Sequence, residues 1–458
     1  MNSIGQPALA SAGRVVSAAG PRRIIFATVV GTTVEWYDFF TYGTAAALVF
    51  GKLFFAPAGP GLATILSFLT VGISFLFRPL GAFLAGHFGD KYGRRGVLMA
   101  TLVLMGASTA VIGLIPGYAS IGFAAPLMLI ALRVLQGISA GGEWGGAALM
   151  AVEQAPTRRR GSFGAAPQIG VPLGLLLSSG VTAVMSMIAP GAAFFEWGWR
   201  VPFLLSVALI FVGWYIRRRV EESPVFAQIA EHRGQAGMPI VQVFRRHALL
   251  VVIAALVFAG SNAAGYMTTG YIQNYATAAT GPVRLQPEPV LWAVTASSVA
   301  WLASTWLSGV VSDRINRRNT LIIGWAAQFV GVVALFPLAN TGNIWMLLLG
   351  LLILSVGIGF AYGPISTYYA ELFPASIRFS GVSITYALGA VLGGSFAPTI
   401  AQALLQATGT SWSIVIYLVA MTAIGLIATL MLRDRSGIPL GPEHEREQAM
   451  SPLVWARD

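Results

Sequence analysis

Twelve apolar runs of about 20 residues each dominate this sequence, and a helix of that length crosses the roughly 30 Å hydrocarbon core of a bilayer. They fall near 24–46, 62–84, 97–116, 126–150, 165–188, 200–217, 248–272, 289–311, 320–339, 345–370, 381–405 and 412–432. Lipid offers no partner for a bare N–H or C=O, so runs of this kind fold as helices that satisfy their own backbone. The expected fold class is therefore an all-α membrane protein with 12 transmembrane helices.

Composition agrees. The chain is 56% hydrophobic and only 10% charged, whereas soluble domains carry about a quarter charged residues. With no Cys, disulfides and thiolate metal sites are excluded, and His87, His232, His247 and His444 lie too far apart for a local metal motif; no metal or cofactor is expected. Residues 1–23 contain no apolar h-region, so a cytoplasmic leader is expected there and not a cleaved signal peptide.

A net charge of +11 raises the question of nucleic acid. The distribution answers it. With the N-terminus inside, 23 of the 28 Lys and Arg fall on the cytoplasmic side and three (Lys52, Arg200, Arg284) on the other, while Arg78 and Arg133 lie inside helices. That is the positive-inside signature of a multi-pass membrane protein, with both termini expected to be cytoplasmic. Lipid, and not nucleic acid, is the expected surroundings.

The chain also repeats itself. Gly86 to Arg95 and Gly309 to Arg318 both read G-x-x-x-D-[KR]-x-x-R-R at an offset of 223. Glu153-x-x-Pro156 with Arg160 returns as Glu371-x-x-Pro374 with Arg378 at an offset of 218. Two motifs at nearly one offset imply two pseudo-symmetric six-helix bundles. The expected division is a leader (1–23), an N-terminal bundle (24–217), a cytoplasmic linker (218–247), a C-terminal bundle (248–432) and a cytoplasmic tail (433–458).

In the loops around Asp90 and Asp313, and in Arg133-Val134-Leu135-Gln136-Gly137, the chain resembles the major facilitator superfamily. Glu35-Trp36-Tyr37-Asp38-Phe39-Phe40, Phe77-Arg78-Pro79-Leu80-Gly81, Gly141 to Ala147 and Gly198 to Phe203 resemble its metabolite:proton symporter family, and Tyr42 to Phe50 its shikimate-transporter branch. The resemblance implies two bundles that alternate access to one central site, and a proton-coupled import of a small organic acid by a monomer. Helix five carries Gly170-Val171-Pro172-Leu173-Gly174 and not the GPxxGG run of the superfamily's drug antiporters, which favours symport.

Ionisable groups at bilayer depth are costly and mark function. Glu35, Asp38, Arg78, Arg133 and Glu143 lie inside the predicted spans. At about 1.5 Å per residue, Asp38 sits roughly 9 Å and Arg133 roughly 10 Å from the outer face, so an Asp38–Arg133 ion pair or near-pair is predicted. The same reckoning pairs Arg78 with Glu143 nearer the cytoplasm. Glu35, three residues before Asp38, shares roughly its face. Asp38, Arg133 and Glu35 are the proton-coupling candidates; the blander reading is a buried packing pair.

The C-half has no mid-helix charge at the matching places, where Leu351 and Ala361 stand. It offers Asn262, Tyr266, Tyr362 and Tyr386, which with Tyr37, Tyr42, Arg133, Gln136 and Gln168 form the expected substrate contacts. Tyr271, Tyr275, Tyr368 and Tyr369 read equally as interfacial belt residues. Asp90, Arg94, Arg95, Glu153 and Arg160, with Asp313, Arg317, Arg318, Glu371 and Arg378, read as salt bridges latching the cytoplasmic side.

A channel would need a selectivity element, and a membrane enzyme a nucleophile or metal cluster; neither is visible. Among substrates, a zwitterionic osmolyte such as proline or betaine is the alternative to an organic acid. The tail, interrupted by Pro439, Pro442 and Pro452, has no heptads of the kind that osmosensing relatives carry.

Overall fold

The computed structural model describes residues 21–92, 94–141, 143–219 and 239–455. The side chains of Asp90, Arg94, Arg95 and Glu143 lie outside the described residues, so the contacts expected of them are not described either.

Helix α1 runs Pro21–Ala45 and continues through a π-helical turn, Ala46–Phe50. Then come α2 (Pro60–Tyr92), α3 (Arg94–Ile112), α4 (Ala124–Ala140 and Glu143–Glu153), α5 (Arg160–Ile188) and α6 (Arg200–Arg219). In the second half, α7 comprises Pro239–Tyr266, a π-helical turn Met267–Tyr271 and Ile272–Thr277. It is followed by α8 (Pro287–Ile315), α9 (Arg317–Ala339), α10 (Ile344–Tyr362 and Ile365–Leu372), α11 (Arg378–Gly389, Ala390–Gly394 and Ala397–Thr408) and α12 (Trp412–Leu430).

Residues 239–247, which fall in the expected linker, are helical. Helix α7 begins at Pro239, and residues 239–247 belong to it, with a kink at His247 (φ −127°, ψ 16°). Proline is tolerated at a first helical position, and Val243, between it and the kink, is fully buried.

The repeat survives in the backbone. The π-turns of α1 and α7 begin at Ala46 and Met267, an offset of 221. Each adds a residue to one turn and redirects the outer end of its helix, a local distortion typical of working parts. Across the seam between halves, α5 packs along α8, α2 against α11, and α1 against the π-turn of α7.

The outward surface is apolar. Phe83, Phe211, Leu114, Trp345 and Ile416 are all more than 60% exposed, which in water would be an aggregation liability and in lipid is the required finish.

Small residues set the closest crossings. A Cβ on Gly137 would lie 2.2 Å from the Ser74 carbonyl oxygen, and one on Gly141 2.1 Å from that of Arg78. The α2–α4 pair therefore touches backbone to backbone, which holds Arg78 and Arg133 in one buried layer.

Candidate functional site

Between the halves lies a small cavity lined from the N-half by Trp36, Phe40 and Val171, and from the C-half by Ser261, Asn262, Gly265, Tyr266, Thr269, Trp301, Ile358 and Tyr362. Trp36 and Phe40 are one turn apart on α1. Ser261, Gly265 and Thr269 recur every four residues on α7, so a single stripe of that helix faces the space. Among the described residues, the indole N–H groups of Trp36 and Trp301, the Asn262 amide nitrogen and the hydroxyls of Ser261 and Tyr266 have no hydrogen-bond partner, although all five residues are at least 91% buried. Each unpaired buried donor costs about 1–3 kcal/mol, so this lining is built to be completed by something else.

Charge sits behind the cavity wall. Phe39 packs edge-on against Phe75 (4.9 Å between ring centres) and Tyr266 (5.6 Å). The Arg78 guanidinium lies over Phe75 at 4.5 Å and that of Arg133 over Phe39 at 5.3 Å. Arg133 is not among the lining residues, contrary to its expected contact with substrate.

The predicted Asp38–Arg133 contact is replaced by a relay. Arg133 Nη1 donates to Gln136 Oε1 (2.7 Å), Gln136 Nε2 to Thr109 Oγ1 (2.7 Å), and Thr109 Oγ1 to Asp38 Oδ2 (3.0 Å). The other Asp38 oxygen accepts from Ser206 at 2.5 Å. Arg133 spends its remaining donors on the Thr70 and Val71 carbonyls and the Ser74 hydroxyl, and its guanidinium covers the Tyr42 ring at 3.8 Å. The hydrogen bonds link these groups across four helices, and azimuth about each axis decides which of them touch. Residues three apart on a helix differ by about 60° around its axis. Asp38 therefore faces α3 and α6, while Glu35 faces α2 and pairs with Arg78 at 3.6 Å. Arg78 thus pairs with Glu35, while the expected Arg78–Glu143 pair lies outside the described residues.

Of the remaining expected substrate contacts, Asn262, Tyr266 and Tyr362 line the cavity. Tyr37 does not: its hydroxyl donates to the Pro202 carbonyl (2.8 Å) inside the N-half. Tyr42 donates to Thr70 (2.6 Å), and Gln136 is a link in the relay. Gln168 spans the halves, donating to the Tyr362 carbonyl at 3.4 Å. Tyr386 stacks on Phe258, ring centres 4.3 Å apart. Trp36, Trp301 and Thr109 were not singled out from sequence.

Contacts between the halves cluster at both ends. At the arginine-rich end, Asp313 of α8 accepts from Gly161 N (2.7 Å), Ser162 N (2.9 Å) and Ser162 Oγ (2.6 Å), capping the first turn of α5 in the other half. Arg317 holds Asp313 (3.1 Å) and Glu371 (3.3 Å), and Arg378 reaches Glu153 of the N-half at 3.4 Å. Arg160 donates to the Ile438 carbonyl (2.6 Å) and Arg378 to that of Leu440 (2.9 Å), so the returning tail binds an arginine from each half. Buried Gln448 fastens it, accepting from Ala375 N and Arg378. Arg318 turns away, to the Leu430 carbonyl and, through its backbone, to Asp434. At the opposite end Gln273 donates to Thr44 (3.3 Å), Asn274 to the Ala47 carbonyl (2.9 Å) and Gln406 to the Gly61 carbonyl (3.0 Å). Contacts between the halves thus bridge both ends.

A sequence profile described as Major Facilitator Superfamily matches residues 28–398 and 291–456. The chain belongs to that superfamily. It is 38% identical over 421 residues to the inner membrane metabolite transport protein YhjE of Escherichia coli K12, covering 90% of this chain and 94% of that one. It is 35% identical over 434 residues to the shikimate transporter of the same organism (92% and 96%), and 33% identical over 430 residues to a glycine betaine/proline/ectoine/pipecolic acid transporter, OusA, of Dickeya dadantii (92% and 84%). Among solved structures, a D-xylose-proton symporter superposes with a TM-score of 0.70 at 19% identity, covering 93% of this chain and 98% of that one. That likeness supports the twelve-helix fold. This member of the superfamily is a multi-pass membrane protein of transporter type.

Proposed function

We propose that this protein is a proton-coupled symporter that imports a small organic acid across the bacterial inner membrane by alternating access. The observation that carries the coupling is the Asp38 carboxylate, 3% exposed, held by two neutral hydroxyls and joined to Arg133 through Thr109 and Gln136. A buried carboxylate without a contacting cation bears a large desolvation cost that a proton removes. Protonation also turns one Asp38 oxygen from acceptor to donor. Thr109 then directs its single hydroxyl proton to the Met105 carbonyl, 3.0 Å away, and the bonds that Asp38 makes to α3 and α6 are rearranged. Substrate in the cavity and proton on Asp38 together favour passage through the occluded form.

The arginine-rich end is read as cytoplasmic from the positive-inside bias. Its latch closes the outward-facing state, and the hydrogen bonds at the opposite end close the inward-facing one. The organic-acid reading is supported by the donor-rich cavity and by the shikimate transporter among the relatives. A second reading, a zwitterionic osmolyte, is favoured by the aromatic lining of Trp36, Phe40, Tyr266, Trp301 and Tyr362, because aromatic faces receive quaternary ammonium groups.

The test is uptake by proteoliposomes under an imposed proton gradient. Accumulation that collapses with a protonophore supports symport. Asp38→Asn is expected to bind substrate and exchange it without accumulating it. Full gradient-driven accumulation by that variant would overturn the assignment.

A further inference from the structure

The N-half and C-half each contribute one buried indole to the cavity, and neither indole N–H has an acceptor among the described residues. An indole nitrogen donates and never accepts. The unpartnered Asn262 amide nitrogen is likewise a donor, while the Ser261 and Tyr266 hydroxyls can donate as well. Among the described residues no carboxylate lines this space; the Glu35 carboxylate is held by Arg78. The lining therefore asks its ligand for acceptor oxygens, from opposite sides of the seam between halves.

We infer that Trp36 and Trp301 are specificity-determining residues that receive the substrate's carboxylate between their indole N–H groups, one from each half. The inference rests on the reading of this cavity as the substrate site and specifies which groups recognise the acid. The recognised class is a carboxylate on a compact ring or short apolar body. Its two oxygens supply the missing acceptors, and the aromatic rings of Phe40, Tyr266 and Tyr362 surround the body. Charge is not matched by direct contact with a guanidinium, because Phe39 and Phe75 stand between the cavity and Arg133 and Arg78. A carboxylate that bridges α1 and α8 also draws the halves together, so binding favours the occluded form over either open one.

The experiment measures binding to the purified full-length protein by calorimetry. The probes are hydroxylated cyclohexane and benzene carboxylic acids, four-carbon dicarboxylates and glycine betaine, each beside its methyl ester. The expected result is that an acid binds, that its ester binds at least tenfold more weakly, and that Trp36→Phe and Trp301→Phe each weaken the acid about tenfold while leaving the ester unchanged. Phenylalanine keeps the ring and deletes only the donor. Asn262→Asp, which replaces a donor by an acceptor without changing size, is a second variant should either Phe protein fail to fold; it is expected to weaken the acid more than tenfold. Equal binding of acid and ester, undiminished acid affinity in the double Phe variant or in Asn262→Asp, or a parent protein that binds none of the acids overturns the inference. Acid binding with the expected Trp dependence but without proton-driven accumulation leaves it standing and removes the symport reading instead.

Discussion

The Asp313 carboxylate in the C-terminal half accepts a 2.7 Å hydrogen bond from the backbone N–H of Gly161 in the N-terminal half. It thereby satisfies one of the free donors in the first turn of α5 and places a negative charge at the positive end of that helix. The two bundles are thus fastened by a helix cap supplied in trans. A Cβ on residue 161 would stand 2.1 Å from Ser312 Oγ and 2.7 Å from Asp313 Oδ1, so Gly161→Val wedges the joint apart. The arginine-rich end is expected to open, and because the chain contains no Cys, paired cysteines introduced there for electron-spin distance measurement read that opening directly. An unchanged distance distribution would refute the role of the cap.

Arg78 and Glu35 form a pair with both side chains at least 92% buried. Removing one partner of a buried pair costs about 3–5 kcal/mol, whereas replacing both with neutral groups costs far less. Arg78→Gln is expected to lower the detergent-solubilised melting temperature sharply, and Arg78→Gln with Glu35→Gln to recover much of the loss. Additive losses in the double variant would contradict this.

Thr109 is the middle link of the relay. Thr109→Val strips Asp38 of one donor and leaves Gln136 Nε2 without its acceptor, whereas Thr109→Ser keeps both. Gradient-driven uptake is expected to fall about tenfold in the Val variant, near 1.4 kcal/mol, with ligand affinity kept, and to return in the Ser variant. Parallel losses in Val and Ser would assign Thr109 to packing alone.

Gln448 is 2% exposed and donates to the carbonyls of Pro439 and Gly441 while accepting from Arg378. Gln448→Ala is expected to release the tail, raising the protease sensitivity of residues 433–455 and the fraction of molecules open at the arginine-rich end. A tail that remains protected would show that Arg435, which donates to the backbone of Glu447 and Gln448, holds it by itself.

Twelve spans, two halves and the layer of buried charge were legible because hydrophobic length, charge bias and repeated motifs are written in residue types. Contacts were less so. Rise per residue fixes the height of Asp38 and Arg133 but leaves rotation about the axis free, and rotation sends Asp38 to Thr109 and Ser206. The polar stripe at Ser261, Gly265 and Thr269 could have been read from its four-residue period, and Trp36 from its turn-spaced neighbour Phe40. Trp301 carried no such mark, since Ser and Thr are scattered along α8 with no stripe that points to the indole. The carbonyls of Ile438 and Leu440, which hold Arg160 and Arg378, belong to any residue type and leave no signature at all.

The two gates are made of different materials. One end is fastened by carboxylates and guanidinium groups, the other by amides and hydroxyls. When the first parts, bare ions enter water and dissolved salt stabilises them by screening; when the second parts, only neutral groups are wetted. Opening of the arginine-rich end is therefore expected to depend on the ionic strength of the solution, and opening of the other end is not.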